Sequence, residues 1–186
     1  VVVDAVSALP PAYFYKPDDE GLLQHYSVLA EAASPLPLLI YNIPQRTGVA
    51  MTPELYGRML EIDNVVGMKD STGDVYAIGQ FISQQPEAVV LGGADSVLLG
   101  TLLAGAQGGI GLSYNLVPQQ FVRLWDAVQA ADLSAAAAVQ EQINACIAAI
   151  STVEVVAAAK QTMNWMGLPC GLPRTPIRSL DEHEQN

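Results

Sequence analysis

The chain has 186 residues, of which 51% are hydrophobic and 15% are charged, a composition typical of a globular protein rather than a disordered one. Its 8 basic and 19 acidic residues give a formal net charge of −11, which disfavours nucleic acid and anionic membrane surfaces as partners. No apolar run reaches the roughly 18 residues of a membrane span. The two cysteines, Cys146 and Cys170, form no metal or redox motif, so we expect a protein of the reducing cytoplasm.

Short apolar runs alternate with longer amphipathic stretches in the first part of the chain. The runs are apolar throughout rather than at every second position, which is typical of parallel strands covered on both faces. Helix signals lie between them, such as the acidic residues at 18–20 and Thr52 followed by Pro53. Five parallel strands are predicted, at residues 1–9, 36–41, 65–68, 88–91 and 108–112.

Beyond Pro118 the strand pattern does not return. Three helices are predicted there, at residues 119–130, 133–150 and 154–166. We therefore expect two parts: a strand-and-helix part at residues 1–117, and a helical part at residues 118–186.

Five parallel strands fit two α/β architectures. An open doubly wound sheet usually carries a glycine-rich phosphate loop, but the pairs Gly92-Gly93 and Gly108-Gly109 lack the required spacing. A (β/α)8 TIM barrel needs about 250 residues, so this chain would hold only strands four to eight and a C-terminal helical extension. The start inside an apolar run favours the partial barrel, and we expect the chain to be a fragment of a longer gene product.

Polar residues follow the predicted strands, at the ends where barrel enzymes carry their catalytic groups. Lys69 ends the third run, and burial there disfavours its charged form unless it is paired. A neutral lysine amine is a nucleophile toward carbonyl carbons. The alternatives are an ion pair with Asp70 or Asp74, or an ammonium group that reaches solvent.

Two further residues are candidates for chemistry. Tyr41 ends the second run and can relay a proton to a neighbouring amine, although core packing of such a phenol is the simpler interpretation. Arg46 stands in the next loop, where it is either a surface residue or a binding group for a substrate carboxylate. His25 and His183 are expected to be structural or solvated, and no metal site is predicted, because no cluster of ligand residues has metal-binding spacing.

These motifs together resemble the dihydrodipicolinate synthase / N-acetylneuraminate lyase family of class I pyruvate-dependent aldolases. The 28-residue step from Tyr41 to Lys69 fits that family's spacing, and the resemblance covers essentially the whole chain. The segments that carry it are residues 41–48 (YNIPQRTG), 67–70 (GMKD), 11–17 (PAYFYKP) and 109–115 (GIGLSYN), and Lys160 with residues 174–176 (RTP).

The resemblance implies a mechanism with no cofactor, in which the lysine itself carries the substrate. Lys69 would form a Schiff base with pyruvate or another 2-oxo acid, and Tyr41 would relay protons at the lysine nitrogen. Tyr13 would be a catalytic tyrosine lent across a dimer interface, with Tyr15 as its rival, in an assembly built as a dimer of dimers. Ile110 would offer its backbone carbonyl to the bound keto acid.

The residues that would meet the second substrate, an aldehyde, point to different branches of the family. Arg46 and Thr47 resemble the dihydrodipicolinate synthase branch, in which the arginine meets the carboxylate of aspartate semialdehyde. Residues 108–111 resemble the N-acetylneuraminate lyase branch, but that branch usually has an acidic residue after the aspartate at Asp95, where this chain has Ser96. We favour a 4-hydroxy-tetrahydrodipicolinate synthase-like enzyme. The alternatives are N-acetylneuraminate lyase and a 4-hydroxy-2-oxoglutarate or 2-keto-3-deoxy acid aldolase.

One family motif is missing from the sequence. The Gly-Thr-Thr/Ser-Gly-Glu segment, to which the resemblance assigns the pyruvate carboxylate and part of the proton relay, does not occur in it. A catalytically inactive fragment or a small-molecule sensor is therefore the alternative from another functional class. The presence of both Lys69 and Tyr41 favours the enzyme.

Overall fold

The computed structural model describes residues 3–12, 14 and 16–185. The chain forms two compact units, Val1–Ile110 and Gly111–Asn186. The first unit therefore ends a few residues before the expected division after residue 117. It contains strands and helices, whereas the elements of the second unit are helical.

The first unit contains a four-stranded parallel sheet in the order β1-β2-β3-β4. A helix or pair of helices separates each strand from the next, which is the repeating unit of a (β/α)8 barrel and agrees with the predicted partial barrel. A short 3-10 turn, Asp95–Val97, follows the last strand. The elements in chain order are β1 (Val6–Ala8), α1 (Asp19–Ala33), β2 (Leu38–Asn42), α2 (Pro44–Thr47), α3 (Pro53–Met59), β3 (Val65–Asp70), α4 (Val75–Gln84), β4 (Val89–Gly92) and α5 (Leu98–Leu103).

The fifth predicted strand, at residues 108–112, is wrong as a strand. Gly109 makes an isolated parallel bridge with Gly92, and the chain then leaves the edge of β4. The side-chain oxygen of Gln107 accepts a hydrogen bond from the Val90 N–H at 2.8 Å. The Gln107 and Ile110 N–H groups donate to the Val90 and Gly92 carbonyls, and the Gly92 N–H donates to the Gly108 carbonyl, so the pairing follows β4 only as far as Ile110.

Side-chain caps begin the main helices of this unit. Asp18, Thr52 and Asp74 each accept a hydrogen bond from the backbone N–H three residues further along, which satisfies a donor that the first helical turn leaves free. The hydrophobic core packs these helices against one face of β2, β3 and β4. Its fully buried members include Leu22, Tyr26, Leu38, Ile40, Tyr56, Met59, Met68, Ile78, Phe81 and Val90.

The second unit contains all three helices predicted for it. They are α6 (Pro118–Gln129), α7 (Leu133–Ile150) and α8 (Val155–Trp165), after a 3-10 turn at Ser113–Asn115. Asp132 and Glu154 cap α7 and α8 through their carboxylates. The Lys160 ammonium donates to the Cys170 carbonyl at 2.6 Å, which ties the segment after α8 back onto that helix.

Helix α7 is weakly apolar over its whole length. It has 18 residues and a mean hydropathy of 1.2, so by length and composition alone it could cross a membrane. It is not an uninterrupted apolar run, because Gln140, Glu141, Gln142 and Asn144 stand in its middle. One such helix is weak evidence for a membrane, because core helices of soluble proteins have the same length and composition.

Candidate active site

Lys69 and Tyr41 meet at the carboxyl ends of β3 and β2. The register of the two parallel strands places Tyr41 directly beside Lys69, on the face of the sheet opposite to the helix-packed core. The Lys69 Nζ atom lies 3.9 Å from the centre of the Tyr41 ring. The Lys69 side chain is only 9% exposed, so a face-on aromatic contact replaces much of the hydration of this amine.

The two carboxylates next to Lys69 in the sequence are engaged elsewhere. Asp70 is fully buried on the other face of β3, where it accepts hydrogen bonds from the Asn42 side chain at 2.6 Å and from the Thr72 backbone at 2.9 Å. Asp74 caps helix α4 by accepting from the Ala77 N–H at 2.9 Å. Neither of the ion pairs considered for Lys69 is formed, which removes that structural explanation for a buried lysine.

The environment of Tyr41 changes the acidity of its phenol. Burial raises the pKa of Tyr41, but hydrogen bonding with the Lys69 and Ser71 side chains and the positive charge of Lys69 outweigh that effect. The negative charge of Asp95 acts in the opposite direction. The net result is a Tyr41 pKa below its ordinary value, which suits a phenol that gives up and recovers a proton beside an amine.

Ser71 and Gly93 also belong to this site, although sequence reasoning missed both. Ser71 lies two residues beyond Lys69 and therefore on the same face of the strand. Its hydroxyl donates to the Gly93 carbonyl at 3.2 Å. The alternation of strand side chains could have identified Ser71 from the sequence. Gly93 could not be identified in this way, because its contact with Ser71 arises from the packing of β3 against the segment after β4.

Arg46 and Thr47 lie in α2, the short helix that follows β2. Arg46 is exposed, whereas Thr47 is buried, and its hydroxyl oxygen lies 3.2 Å from both the Ile43 and the Val49 carbonyl oxygens. Gly48 ends the helix in a left-handed conformation with φ of 70°, which favours glycine because it has no Cβ. Thr47 thus shapes the loop that carries Arg46.

The remaining predicted site residues lie near the carboxyl ends of the same strands. Asp95 begins the 3-10 turn after β4 and acts on Tyr41 through its charge. Ile110 is 45% exposed, and its N–H donates to the Gly92 carbonyl at 2.8 Å. Tyr13 and its rival Tyr15 lie outside the described residues. Of the predicted set, the structure brings Lys69, Tyr41 and Asp95 into interaction. It places Arg46 and Thr47 in the short helix α2 and Ile110 in the segment beside the end of β4.

The chemistry open to this arrangement follows from the amine and the phenol. A shielded lysine amine can attack a carbonyl carbon, and an adjacent phenol can supply the proton that the departing oxygen needs. Within the part of the chain that the structure describes, no group of three or more His, Cys, Asp or Glu side chains could hold a metal ion.

Comparisons with known proteins point to one protein family. A model of the dihydrodipicolinate synthetase family matches residues 2–186. A 4-hydroxy-tetrahydrodipicolinate synthase from Archaeoglobus fulgidus is 32% identical over 173 residues, which are 92% of this chain and 60% of the relative. An N-acetylneuraminate lyase from Rhizobium meliloti is 36% identical over 180 residues, which are 96% of this chain and 58% of the relative.

A solved structure supports the fold. The sialic acid aldolase of Ruminococcus gnavus superimposes on 98% of this chain and 62% of its own length, with a TM-score of 0.93 and 30% sequence identity. The chain therefore spans about 60% of the length of the curated relatives and of this solved structure. The match over nearly the whole chain agrees with the predicted partial (β/α)8 barrel.

Proposed function

This chain belongs to the dihydrodipicolinate synthetase family, and on that premise we propose that it is a class I pyruvate-dependent aldolase or lyase in which Lys69 forms a Schiff base. One observation carries the proposal: Lys69 is 9% exposed and stacks on Tyr41, while its neighbouring carboxylates are used elsewhere. A buried lysine is costly as a structural feature, but its unprotonated amine is useful as a covalent nucleophile.

The reaction begins at the keto carbon of pyruvate. The neutral Lys69 amine attacks this carbon, and its proton moves to the former keto oxygen to give a carbinolamine. Tyr41 donates its phenolic proton to the departing hydroxyl, which leaves as water and yields the cationic Schiff base. The phenolate then takes a proton from the pyruvate methyl group, which restores the phenol and gives an enamine that adds to an aldehyde. The reverse sequence cleaves a 2-oxo acid.

We favour a synthase-like second substrate, an aldehyde that carries a carboxylate, such as aspartate semialdehyde. Arg46 is exposed in the short helix α2 after β2, where its guanidinium can pair with that carboxylate. Thr47 would support this helix from within, and Asp95 would bind substrate from the turn after β4. The Ile110 carbonyl would face the keto acid. N-acetylneuraminate lyase and the 4-hydroxy-2-oxoglutarate or 2-keto-3-deoxy acid aldolases are the alternatives within the family. A 4-hydroxy-tetrahydrodipicolinate synthase and an N-acetylneuraminate lyase both occur among the named relatives.

An assay with two aldehydes separates these substrates. We expect consumption of pyruvate with aspartate semialdehyde and little with N-acetylmannosamine, and we expect Arg46→Ala to raise the KM for the semialdehyde while leaving that for pyruvate nearly unchanged. A preference for N-acetylmannosamine would move the assignment to the lyase branch.

Exchange of the pyruvate methyl protons tests the Schiff-base reaction without any aldehyde. Enamine formation in D2O replaces these protons by deuterium, so the methyl signal of pyruvate should disappear in the presence of the protein. Lys69→Arg should abolish the exchange, and Tyr41→Phe should slow it by about 10²–10⁴-fold, which is the usual contribution of a general acid-base group. Lys160→Arg, a change in the helical unit, is the matched control and should leave the exchange rate as in the unmodified chain.

The alternative from another class, an inactive fragment or a small-molecule sensor, predicts a different result. It predicts pyruvate binding without methyl exchange, or no pyruvate binding. Exchange that depends on Lys69 would exclude it.

We also propose a cytoplasmic location and a homo-oligomeric assembly, as a dimer of dimers in the whole protein. The two cysteines are free thiols, which agrees with a reducing compartment. Sedimentation of the protein at several concentrations tests the assembly.

A further inference from the structure

A third polar group lies beside Lys69 and Tyr41, and its position is fixed by the backbone. The Ser71 N–H donates to the Asn42 carbonyl at 2.9 Å, which extends the pairing of β3 with β2 by one residue. Strand side chains alternate between faces, so Ser71 shares the face of Lys69, whereas Asp70 between them faces the core. Backbone pairing thus holds Ser71 next to Lys69 and Tyr41, on the same face of the sheet.

The hydroxyl of Ser71 has one hydrogen and two possible acceptors for it. It donates to the Gly93 carbonyl at 3.2 Å, a long hydrogen bond for a hydroxyl donor. The Tyr41 phenol is the second polar group of the site: its ring centre lies 3.9 Å from Lys69 Nζ, and the Ser71 hydroxyl lies beside the Lys69 side chain at Gly93. The Ser71 hydroxyl also lowers the pKa of Tyr41. While Ser71 donates to Gly93, its oxygen lone pairs remain able to accept the phenolic proton of Tyr41.

Gly93 provides the space that makes this arrangement possible. A Cβ atom at position 93 would overlap the Ser71 hydroxyl and would stand 2.8 Å from Lys69 Cε. The Gly93 N–H also donates to the Asp70 carbonyl at 2.6 Å, which holds the glycine against the end of β3. The Ser71 hydroxyl and the Lys69 side chain therefore both occupy the space that a side chain at position 93 would fill.

We propose that Ser71 is a positioning residue for Tyr41, whose hydroxyl turns from the Gly93 carbonyl to the Tyr41 oxygen when the phenol gives up its proton. Ser71 keeps its own proton throughout, so no further acid or base is needed. When Tyr41 recovers a proton, the Ser71 hydroxyl returns to Gly93. The inference rests on the proposed function, because Schiff-base formation is the reaction in which Tyr41 gives up its proton.

Three side chains act on the acidity of the Tyr41 phenol. Lys69 and Ser71 favour the phenolate, and the Asp95 carboxylate opposes it. Ser71→Ala removes one of these groups and leaves both charged ones in place, so it isolates the contribution of the hydroxyl. Ser71→Thr keeps a hydroxyl at the same position and is the matched conservative variant.

The test combines a titration with the exchange assay. In the chain labelled with 13Cζ-tyrosine, the Tyr41 signal is assigned from its loss in Tyr41→Phe. We expect Ser71→Ala to raise the pH at which this signal titrates and to slow pyruvate methyl exchange by about tenfold, the effect of one hydrogen bond to a charged group, with the pyruvate KM nearly unchanged. Ser71→Thr should restore both readings, and Gly93→Ala, which crowds Ser71 and Lys69, should lower the exchange rate without removing the hydroxyl.

The outcomes separate this inference from the proposed function. If Tyr41 titrates at the same pH in Ser71→Ala as in the unmodified chain, the positioning role is overturned, whatever the exchange rate. If the titration shifts as expected but no protein variant exchanges the pyruvate methyl protons, Ser71 positions Tyr41 and the proposed aldolase function fails.

Discussion

The buried pair Asn42 and Asp70 should contribute more to stability than any surface ion pair of this protein. Asn42 is 3% exposed and Asp70 is fully buried, and the amide donates to the carboxylate at 2.6 Å. The Asn42 side-chain oxygen also accepts from the Met51 N–H at 3.2 Å. These contacts join β2, β3 and the segment before α3 directly behind the pair formed by Tyr41 and Lys69.

The magnitude follows from the groups that lose their partners. A hydrogen bond to a charged group contributes about 1.5–3 kcal/mol, and a buried polar group without a partner costs about 1–3 kcal/mol. Asn42→Ala removes the amide from Asp70 and leaves the Met51 N–H without an acceptor, so we expect a loss of about 3–5 kcal/mol in the free energy of unfolding. That is a large part of the total for a domain, which is about 5–15 kcal/mol.

A double-mutant cycle measures the interaction itself. Urea unfolding followed by circular dichroism is compared for Asn42→Ala, Asp70→Ala and the double variant. We expect a coupling energy of about 1.5–3 kcal/mol, because the second substitution removes a group whose partner is already gone. The exposed pair Arg58 and Glu20 is the matched control and should show a much smaller coupling. A coupling below about 0.5 kcal/mol would show that the buried pair contributes no more than an exposed one.

Three further predictions concern the rest of the fold. Gly67→Ala should prevent folding or greatly destabilise the fold, because its Cβ atom would overlap backbone atoms of the neighbouring strand. Gly79→Ala in helix α4 places a Cβ atom where no other atom lies within 4 Å, so it should stabilise the protein by about 0.5–1 kcal/mol. Thermal unfolding measures both effects. Tyr56→Phe should leave stability unchanged or raise it in the same assay, because the phenolic oxygen of this buried tyrosine has no hydrogen-bond partner among the described residues. The Arg178 guanidinium lowers the pKa of Glu184 to about 2, so the contribution of this carboxylate is complete above pH 4.5 and is lost as the pH falls through about 2. In an NMR titration Arg178→Ala should return the Glu184 midpoint toward 4.5, and an unchanged midpoint would contradict the assignment.

The sequence predicted the elements whose signals are local. Uniform apolar runs identify β2, β3 and β4, and capping residues such as Asp132 mark the helix starts, so α7 has the predicted bounds, 133–150. The run at residues 108–112 has the same apolar character, but its pairing with β4 is limited to one bridge, between Gly109 and Gly92. That outcome depends on a long-range contact that no local pattern contains.

In the candidate site too, residues with a local sequence signal were predictable and residues that act through long-range contacts were not. Tyr41 and Lys69 were predictable because each ends an apolar run, and parallel strands bring such ends together. The pairing of Asp70 with Asn42 was missed, although the alternation of side chains already places Asp70 on the opposite face from Lys69. Gly93 could not be identified from sequence, because its role depends on the distance between its Cα atom and the side chains of the adjacent strand.

Lys69 is the residue to which the proposed reaction binds pyruvate covalently. The chain has three lysines, Lys16, Lys69 and Lys160, so the other two are internal controls. Sodium borohydride reduces a Schiff base to a stable amine, and peptide mass spectrometry after incubation with pyruvate locates the adduct. We expect one reduced pyruvate on Lys69, unmodified Lys16 and Lys160, and no adduct in Lys69→Ala. An unmodified Lys69, or equal labelling of all three lysines, would contradict the claim.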